Sequence, residues 1–273
     1  MLGSDVAAVL RARGAVVVES DRDTLDISDA DAVSSAIADA VVVINCAAYT
    51  AVDAAETEED LALVVNGIGP GVLARECAKT SARLIHISTD YVFSGEAHQP
   101  YSENAPLDPR SAYGRTKAEG EREVIAAQAD ALIVRTAALY GARGECFPRT
   151  IAQAGREKGS LRVVDDQITQ PTWSMDLADL ILRLIESDSP AGVYHGTSSG
   201  QTSWFGFATE VVASAGLGNI VAPCAAVDYP RPAARPAYSV LAHDTLVAAG
   251  VEPIGNWLDR WHLAAPMVLA GLT

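Results

Sequence analysis

Apolar residues recur along this chain in two rhythms. Residues 4–13 (SDVAAVLRAR) repeat at helical spacing, with Ser4 placed to cap the helix and Gly14 to close it. Short β-branched runs at Ala15–Glu19 and Val41–Cys46 read as buried strands, and Asp29–Ala38 between them reads as a helix. A helical region follows from Thr57 to Lys79, interrupted at Gly67–Gly71, where Pro70 suits the first turn of the second half. Then come a strand at Arg83–Ser88, a helix at Ser111–Gln128, a strand at Ala131–Thr136, a helix at Phe147–Lys158 and a short strand at Leu161–Val164. Strands that alternate with helices predict βαβ units, hence an α/β, doubly wound parallel sheet with helices on both faces. After about residue 160 the elements shorten and Trp and Pro become denser, as at Trp173, Trp204, Trp257, Trp261, Pro230, Pro232 and Pro236. The expectation there is a small C-terminal lobe laid against the sheet.

Composition narrows the field. With 273 residues the chain is one large domain or one and a half, at ~150 residues per domain. A net charge of −15 and a pI near 4.6 argue against a nucleic-acid or anionic-membrane partner, because counter-ion release needs a basic footprint. No uninterrupted run of about 18 apolar residues occurs, so no membrane-spanning helix is expected. The opening Met1-Leu2-Gly3-Ser4-Asp5 carries an acid where a secretory signal needs a base. Cytoplasm is the default location. Cys46, Cys77, Cys146 and Cys224 lie far apart, without CxxC or HExxH, so neither a disulfide framework nor a metal site is indicated.

In open α/β sheets the chemistry lies beyond the carboxyl ends of the strands. Three such ends carry polar or small residues here: Asn45-Cys46-Ala47-Ala48-Tyr49-Thr50, Ser88-Thr89-Asp90-Tyr91 and Arg135-Thr136. Any one of them reads more simply as a loop that satisfies its own backbone. Three at one sheet edge point to a site. The sharpest signal is Tyr113-Gly114-Arg115-Thr116-Lys117, an i, i+4 pair facing one way from a helix. Tyrosine has an ordinary pKa of about 10, and a neighbouring ammonium favours its phenolate, which would tune the pair for acid–base work. YxxxK arises by chance on many helices. Here it is one of only three lysines, and Ser88-Thr89 ends the preceding strand.

Hydroxyl, Tyr and Lys in this order resemble the constellation of the short-chain dehydrogenase/reductase superfamily. Within it the chain resembles the dTDP-4-dehydrorhamnose reductase family over nearly its whole length. The matching stretches are Leu25-Asp26-Ile27 with Asp29; Asn45 through Asp53 with Ala55-Glu56; and His86 through Gly95. Tyr113-Gly114 with Lys117 and Gly120-Glu121, Asp166-Gln167 with Pro171-Thr172, Ser203-Trp204, and Arg235-Pro236 with Ser239 also match. The resemblance implies a Rossmann-like domain that binds dinucleotide over residues 1–160, and a mainly substrate-binding lobe over 161–273. It implies that Thr89 hydrogen-bonds a sugar 4-keto oxygen, that Tyr113 delivers the proton, and that Lys117 tunes Tyr113 and holds the nicotinamide ribose. Asp26 and Ile27 would lie near the adenine, Ala47, Ala48 and Tyr49 along the cofactor, and Val52, Asp90 and Tyr91 toward the sugar. The implied reaction is NADPH-dependent reduction of dTDP-4-dehydro-L-rhamnose, with NADH as the other donor. Magnesium is used by some members, and nothing in the sequence identifies a site for it. A monomer or homodimer is implied.

The chain departs from the family pattern twice. Where the family has Arg-Thr-Ser-Trp, this chain reads Arg135-Thr136-Ala137-Ala138, which bears on sugar affinity or orientation more than on hydride chemistry. The family's opening strand and G-x-x-G-x-x-G turn are represented only by Gly3, in the place of the third glycine. The missing strand is central in its sheet, so its neighbours are expected to lose a partner, with weak cofactor binding as the consequence and a natural start upstream of Met1 as the explanation. Asp21 stands 18 residues after Gly3, where an acid binds the ribose of NAD, and Arg22 beside it suits the 2′-phosphate of NADP. Arg149, Arg156, Arg231 and Arg235 are candidates to meet the substrate diphosphate, Arg235 foremost because it lies in a matching motif. A nucleotide-sugar epimerase of the same superfamily is the alternative enzyme. A non-catalytic subunit like the regulatory subunit of methionine adenosyltransferase is the alternative without turnover.

Overall fold

The computed structural model of the chain describes residues 1–128 and 130–272. In chain order the elements that build the site are α1 (Leu2–Ala12), α2 (Ala30–Ala36), β1 (Val42–Asn45), α3 (Glu59–Leu63), α4 (Gly69–Thr80), β2 (Arg83–Thr89), α5 (Ala112–Ala127) and β3 (Leu132–Thr136). The central sheet runs β1, β2, β3 and then the strand Gly192–His195, with every neighbouring pair parallel. Strand side chains alternate between faces. Ile85, Leu132 and Val134 bury against α1 and the helix Ser174–Glu186. Leu84 and Ile133 bury on the opposite side, against α2, α4 and α5. Cover on both faces is why these strands read as continuous apolar runs. The fold is the expected doubly wound α/β sheet.

Ala15–Glu19, expected as a buried strand, is not one. Val16 is 99% and Val18 83% exposed, and the segment has no ladder partner among the described residues. β-branched residues favour extended backbone, but a strand forms only where another backbone takes its N–H and C=O groups. Among the described residues β1 is ladder-bonded on the β2 side alone, and Val41 just before it is 81% exposed. The open edge of the sheet therefore lies on the outer side of β1, and the four strands form one sheet. α1 begins at Leu2, ahead of Ser4, and has no side-chain cap. Asp5 in its first turn is buried and accepts a 2.5 Å hydrogen bond from Ser174 Oγ.

The interrupted helical region is continuous from Glu59 to Thr80, with one π-helical turn at Val64–Ile68 joining α3 to α4. By length and composition it is apolar enough to cross a membrane, yet 61% of that window is buried, and it packs on α5. Core helices meet the same criterion. Residues 161–272 are not confined to the lobe, because Gly192–His195 completes the central sheet. The lobe itself is held by aromatic packing of Tyr140, Trp173, Phe207, Trp257 and Trp261. The strand Leu161–Val164 pairs there with Val221–Cys224.

Candidate active site

The site forms where β2 ends and α5 begins. Ser111 caps α5 by accepting from the Gly114 N–H at 3.2 Å. A Cβ at Gly114 would lie 2.2 Å from the Tyr91 carbonyl oxygen, so only glycine lets α5 approach the Thr89–Tyr91 turn this closely. Thr89 opens that turn, its hydroxyl accepting from Tyr91 N at 3.2 Å and donating to Asp90 Oδ1 at 2.9 Å. Deeper in α5, Glu121 binds Arg135 of β3 through two hydrogen bonds of 2.9 and 2.7 Å and accepts from Ser88 Oγ at 2.5 Å. This ion pair is almost wholly buried, with side-chain exposures of 1% and 4%. It ties the helix carrying Tyr113 and Lys117 to the two strands beneath it.

Tyr113 is half-buried, its ring edge-on to Tyr91 at 5.7 Å. Burial raises its phenol to about 12; the nearby Thr89 hydroxyl opposes the rise and the charge of Asp90 adds to it. The expectation that Lys117 would pull the phenol toward phenolate is corrected here. Among the groups acting on Tyr113 burial dominates, and Tyr113 stays protonated through the neutral range. Lys117, 1% exposed, donates to the Ile87 carbonyl at 2.6 Å and lies 3.4 Å from His86 Nε2. Burial lowers it to about 8, partly offset by Glu121 and Cys46. A half-buried phenol that keeps its proton is an acid within reach of an oxyanion.

Ala47, Ala48 and Tyr49 leave the end of β1 toward the same edge. Asn66, fully buried in the π-helical turn, holds this strip as a strand would: its Oδ1 accepts from Tyr49 N at 2.8 Å and its Nδ2 donates to Tyr49 O at 3.1 Å. Asn66 also donates to Thr116 Oγ1 at 3.2 Å, linking the strip to α5. The sequence reading passed over Asn66. The interruption at Gly67 was its only signal, since π turns cluster at functional sites. The Tyr49 hydroxyl donates to Glu58 at 2.6 Å. Gly3 sits in the first turn of α1 beside Cys46. Ile27 packs on Gly69, and Asp26 caps Ser28 locally. Asp21 and Arg22 occupy an exposed turn in which Asp21 accepts from Asp23 N, Thr24 N and the Thr24 hydroxyl. Among the described residues no hydrogen bond or ion pair joins Asp21, Arg22, Asp26 or Ile27 to Thr89, Tyr113 or Lys117.

On the other side, Val52 precedes Asp53, which reaches the C-terminal lobe. Asp53 pairs with Arg235 at 3.0 Å and Arg231 at 3.6 Å, and accepts from Ala233 N at 3.2 Å. Arg235 lies 6.0 Å from the Tyr91 ring centroid, and its Nη1 is buried without a hydrogen-bond partner among the described residues. Gly95, at φ +78°, lets Pro236 pack against its Cα where any side chain would collide. Asp90 is buried, and burial raises its carboxyl to about 6 despite hydrogen bonds from Ser239 and Thr89. Arg149 is taken up by the carbonyls of Val268 and Ala270, which explains its place in the sequence without a diphosphate. His195 is a core histidine bonded to the Ala242 carbonyl. Among the described residues no three His, Cys, Asp or Glu side chains gather into a cation site.

A parallel doubly wound sheet with Thr, Tyr and Lys past its strand ends defines the class: a Rossmann-fold protein of the short-chain dehydrogenase/reductase type. Residues 1–267 match the family described as the RmlD substrate binding domain, and the chain belongs to that family. A relative named dTDP-4-dehydrorhamnose reductase from Streptomyces griseus is 45% identical over 265 residues, 94% of this chain and 87% of that protein. A probable dTDP-4,6-dihydroxy-2-methyloxan-3-one 4-ketoreductase from Streptomyces antibioticus is 42% identical, over 99% of this chain and 93% of its own length. The crystal structure of a dTDP-4-dehydrorhamnose reductase from Clostridium acetobutylicum superposes with a TM-score of 0.94 at 39% identity, covering 98% of this chain and 95% of that one. That of the Bacillus anthracis reductase in complex with NADP gives 0.91 at 35% identity, covering 96% and 95%.

Proposed function

We propose that this chain reduces the 4-keto group of dTDP-4-dehydro-L-rhamnose with NADPH, giving dTDP-L-rhamnose, in the cytoplasm. The observation that carries the reading is the half-buried, protonated Tyr113 next to Thr89, with the Nη1 of Arg235, without a hydrogen-bond partner among the described residues, buried beside Tyr91. The keto oxygen accepts hydrogen bonds from Tyr113 and from Thr89, whose hydroxyl hydrogen turns from Asp90 to the substrate. The reduced nicotinamide supplies the hydride to C4. As negative charge grows on the oxygen, the Tyr113 O–H bond breaks and its proton passes to that oxygen. The phenolate left behind draws on the Lys117 ammonium. Arg235 meets the anionic diphosphate or the sugar, and Asp53 aims it there.

The residues present fit a nicotinamide dinucleotide. Ala47 and Ala48 put no bulk above the strip that Asn66 holds flat. Lys117 has donors beyond the one given to Ile87 O, as a ribose requires. Gly3 and the N-terminus of α1 would face the pyrophosphate. Asp21, Arg22, Asp26 and Ile27 belong to the adenine side. A second reading, reduction of a different dTDP-4-keto-6-deoxy sugar, is favoured by the small side chain of Ala138, held at a φ of +43° just past β3.

One assay separates the readings: NADPH oxidation on addition of dTDP-4-dehydro-L-rhamnose or dTDP-4-keto-6-deoxy-D-glucose, with Tyr113→Phe alongside. The reductase loses NADPH stoichiometrically, and the Phe variant is slower by a factor of about 100–10,000. An epimerase consumes no cofactor net. A binding subunit does neither. Initial rates with NADPH and NADH at sub-saturating concentration decide the donor.

A further inference from the structure

Two fully or nearly fully buried polar residues lie behind the site without a part in the chemistry above: Asn45, the last residue of β1, and His86, its register partner in β2. Their hydrogen bonds decide where each proton sits. The Ala47 N–H can only donate, and it lies 3.0 Å from Asn45 Oδ1. The amide oxygen of Asn45 is thereby assigned to Ala47, which turns Nδ2 toward His86 Nδ1 at 3.1 Å. Nδ1 is then the acceptor of the ring. Burial and the charge of Lys117 hold His86 well below its ordinary pKa, so the ring is neutral and carries its one hydrogen on Nε2. That N–H faces Lys117 Nζ at 3.4 Å. An ammonium has nothing with which to accept it, whereas a neutral amine has a lone pair.

We infer that Asn45 and His86 are positioning residues of Lys117: by presenting Nε2–H to its nitrogen they weaken its hold on the third ammonium proton, so that Lys117, still an ammonium at neutral pH, gives up and regains that proton readily beside Tyr113. The other groups acting on Lys117 are Glu121 on its own helix and Cys46 just past β1, with Tyr113 one helical turn before it; Glu121 is itself held by Arg135 of β3. Glu121 favours the ammonium; Cys46, whose thiol burial holds at about 12, is uncharged where Lys117 titrates, and the His86 N–H at 3.4 Å is placed to oppose Glu121. The catalytic consequence rests on the proposed Tyr113–Lys117 chemistry. The protonation of Lys117 does not, and it is measurable without substrate.

The chain has only three lysines, so lysine Cε signals in the ¹³C NMR spectrum of the full-length protein report each one separately during a pH titration. Lys117→Met assigns the signal. Lys117 is expected to titrate below Lys79 and Lys158 in the wild type. His86→Leu removes the N–H and should raise the Lys117 midpoint by about one pH unit or more. His86→Gln restores an amide N–H at the same reach and should return the midpoint toward that of the wild type. Asn45→Asp accepts from Nδ1, moves the ring hydrogen there and leaves Nε2 to accept from Lys117. The midpoint should rise, and by less when the same change is made together with His86→Leu. Should His86→Leu fail to fold, the comparison of Asn45→Asp with His86→Gln keeps the test intact. A Lys117 midpoint that is the same in His86→Gln and Asn45→Asp would overturn the inference. So would an Asn45→Asp shift of equal size with and without the imidazole. Loss of NADPH-dependent turnover in the wild type, with these shifts intact, would count against the proposed function alone.

Discussion

Replacing Asp90 with Asn should stabilise the protein at neutral pH. Asp90 is 3% exposed, and its carboxyl is raised from 3.8 to about 6, chiefly by burial. At 1.36 kcal/mol per pH unit, that displacement is a penalty of ~3 kcal/mol on the folded state when the group is ionised. The sign follows from linkage. Above about pH 6 both states are ionised and the folded state bears the full penalty. As pH falls from there toward 3.8, the folded state takes up its proton first and the penalty fades. The Asn variant should therefore exceed the wild type by about 1–3 kcal/mol at pH near 7.5, after allowing for weaker hydrogen bonds from Thr89 and Ser239 to an amide oxygen. The gap should close at about pH 4. Urea unfolding at both pH values measures it. An Asn variant no more stable at the higher pH, or a gap that widens in acid, would refute the assignment of Asp90 as a strained buried carboxylate. In the folded state this carboxylate accepts the Thr89 hydroxyl hydrogen at 2.9 Å.

Other outcomes follow from the same geometry. Arg235→Ala should raise the KM for the sugar nucleotide by about 10–100-fold with a smaller change in kcat, since a charge-assisted contact is worth about 1.5–3 kcal/mol; an unchanged KM removes Arg235 from the substrate site. Glu121→Gln leaves Arg135 buried without its counter-charge and should cost about 3–5 kcal/mol in chemical denaturation, whereas a loss under about 1 kcal/mol would mean the pair is not buried in solution. Asn66→Ala frees the Tyr49 backbone and should weaken NADPH binding, read by fluorescence titration, more than it lowers the melting temperature. Equal affinity would show that the Tyr49 strip does not touch the cofactor.

Much of this molecule is legible along the chain. Alternating strand and helix periods, small residues after β1, hydroxyls after β2 and the Tyr113/Lys117 spacing all arise from local geometry: period 2 for strands, one helical turn for the pair. Those features single out Thr89, Tyr113 and Lys117 as one candidate group. Pairing and desolvation are not local. Ala15–Glu19 has the composition of a strand and is not one, because only a neighbouring backbone could have made it so. Lys117 was expected to govern Tyr113, yet burial governs both, pushing the phenol up and the amine down. Asn66, Asp53 and the Asn45–His86 pair act across 17 to 182 residues of chain, at contacts that spacing alone does not reveal. Local periodicity thus determined which groups the protein has to work with. Their charges, and the partners that set those charges, were decided by which distant side chains the fold removed from water along with them.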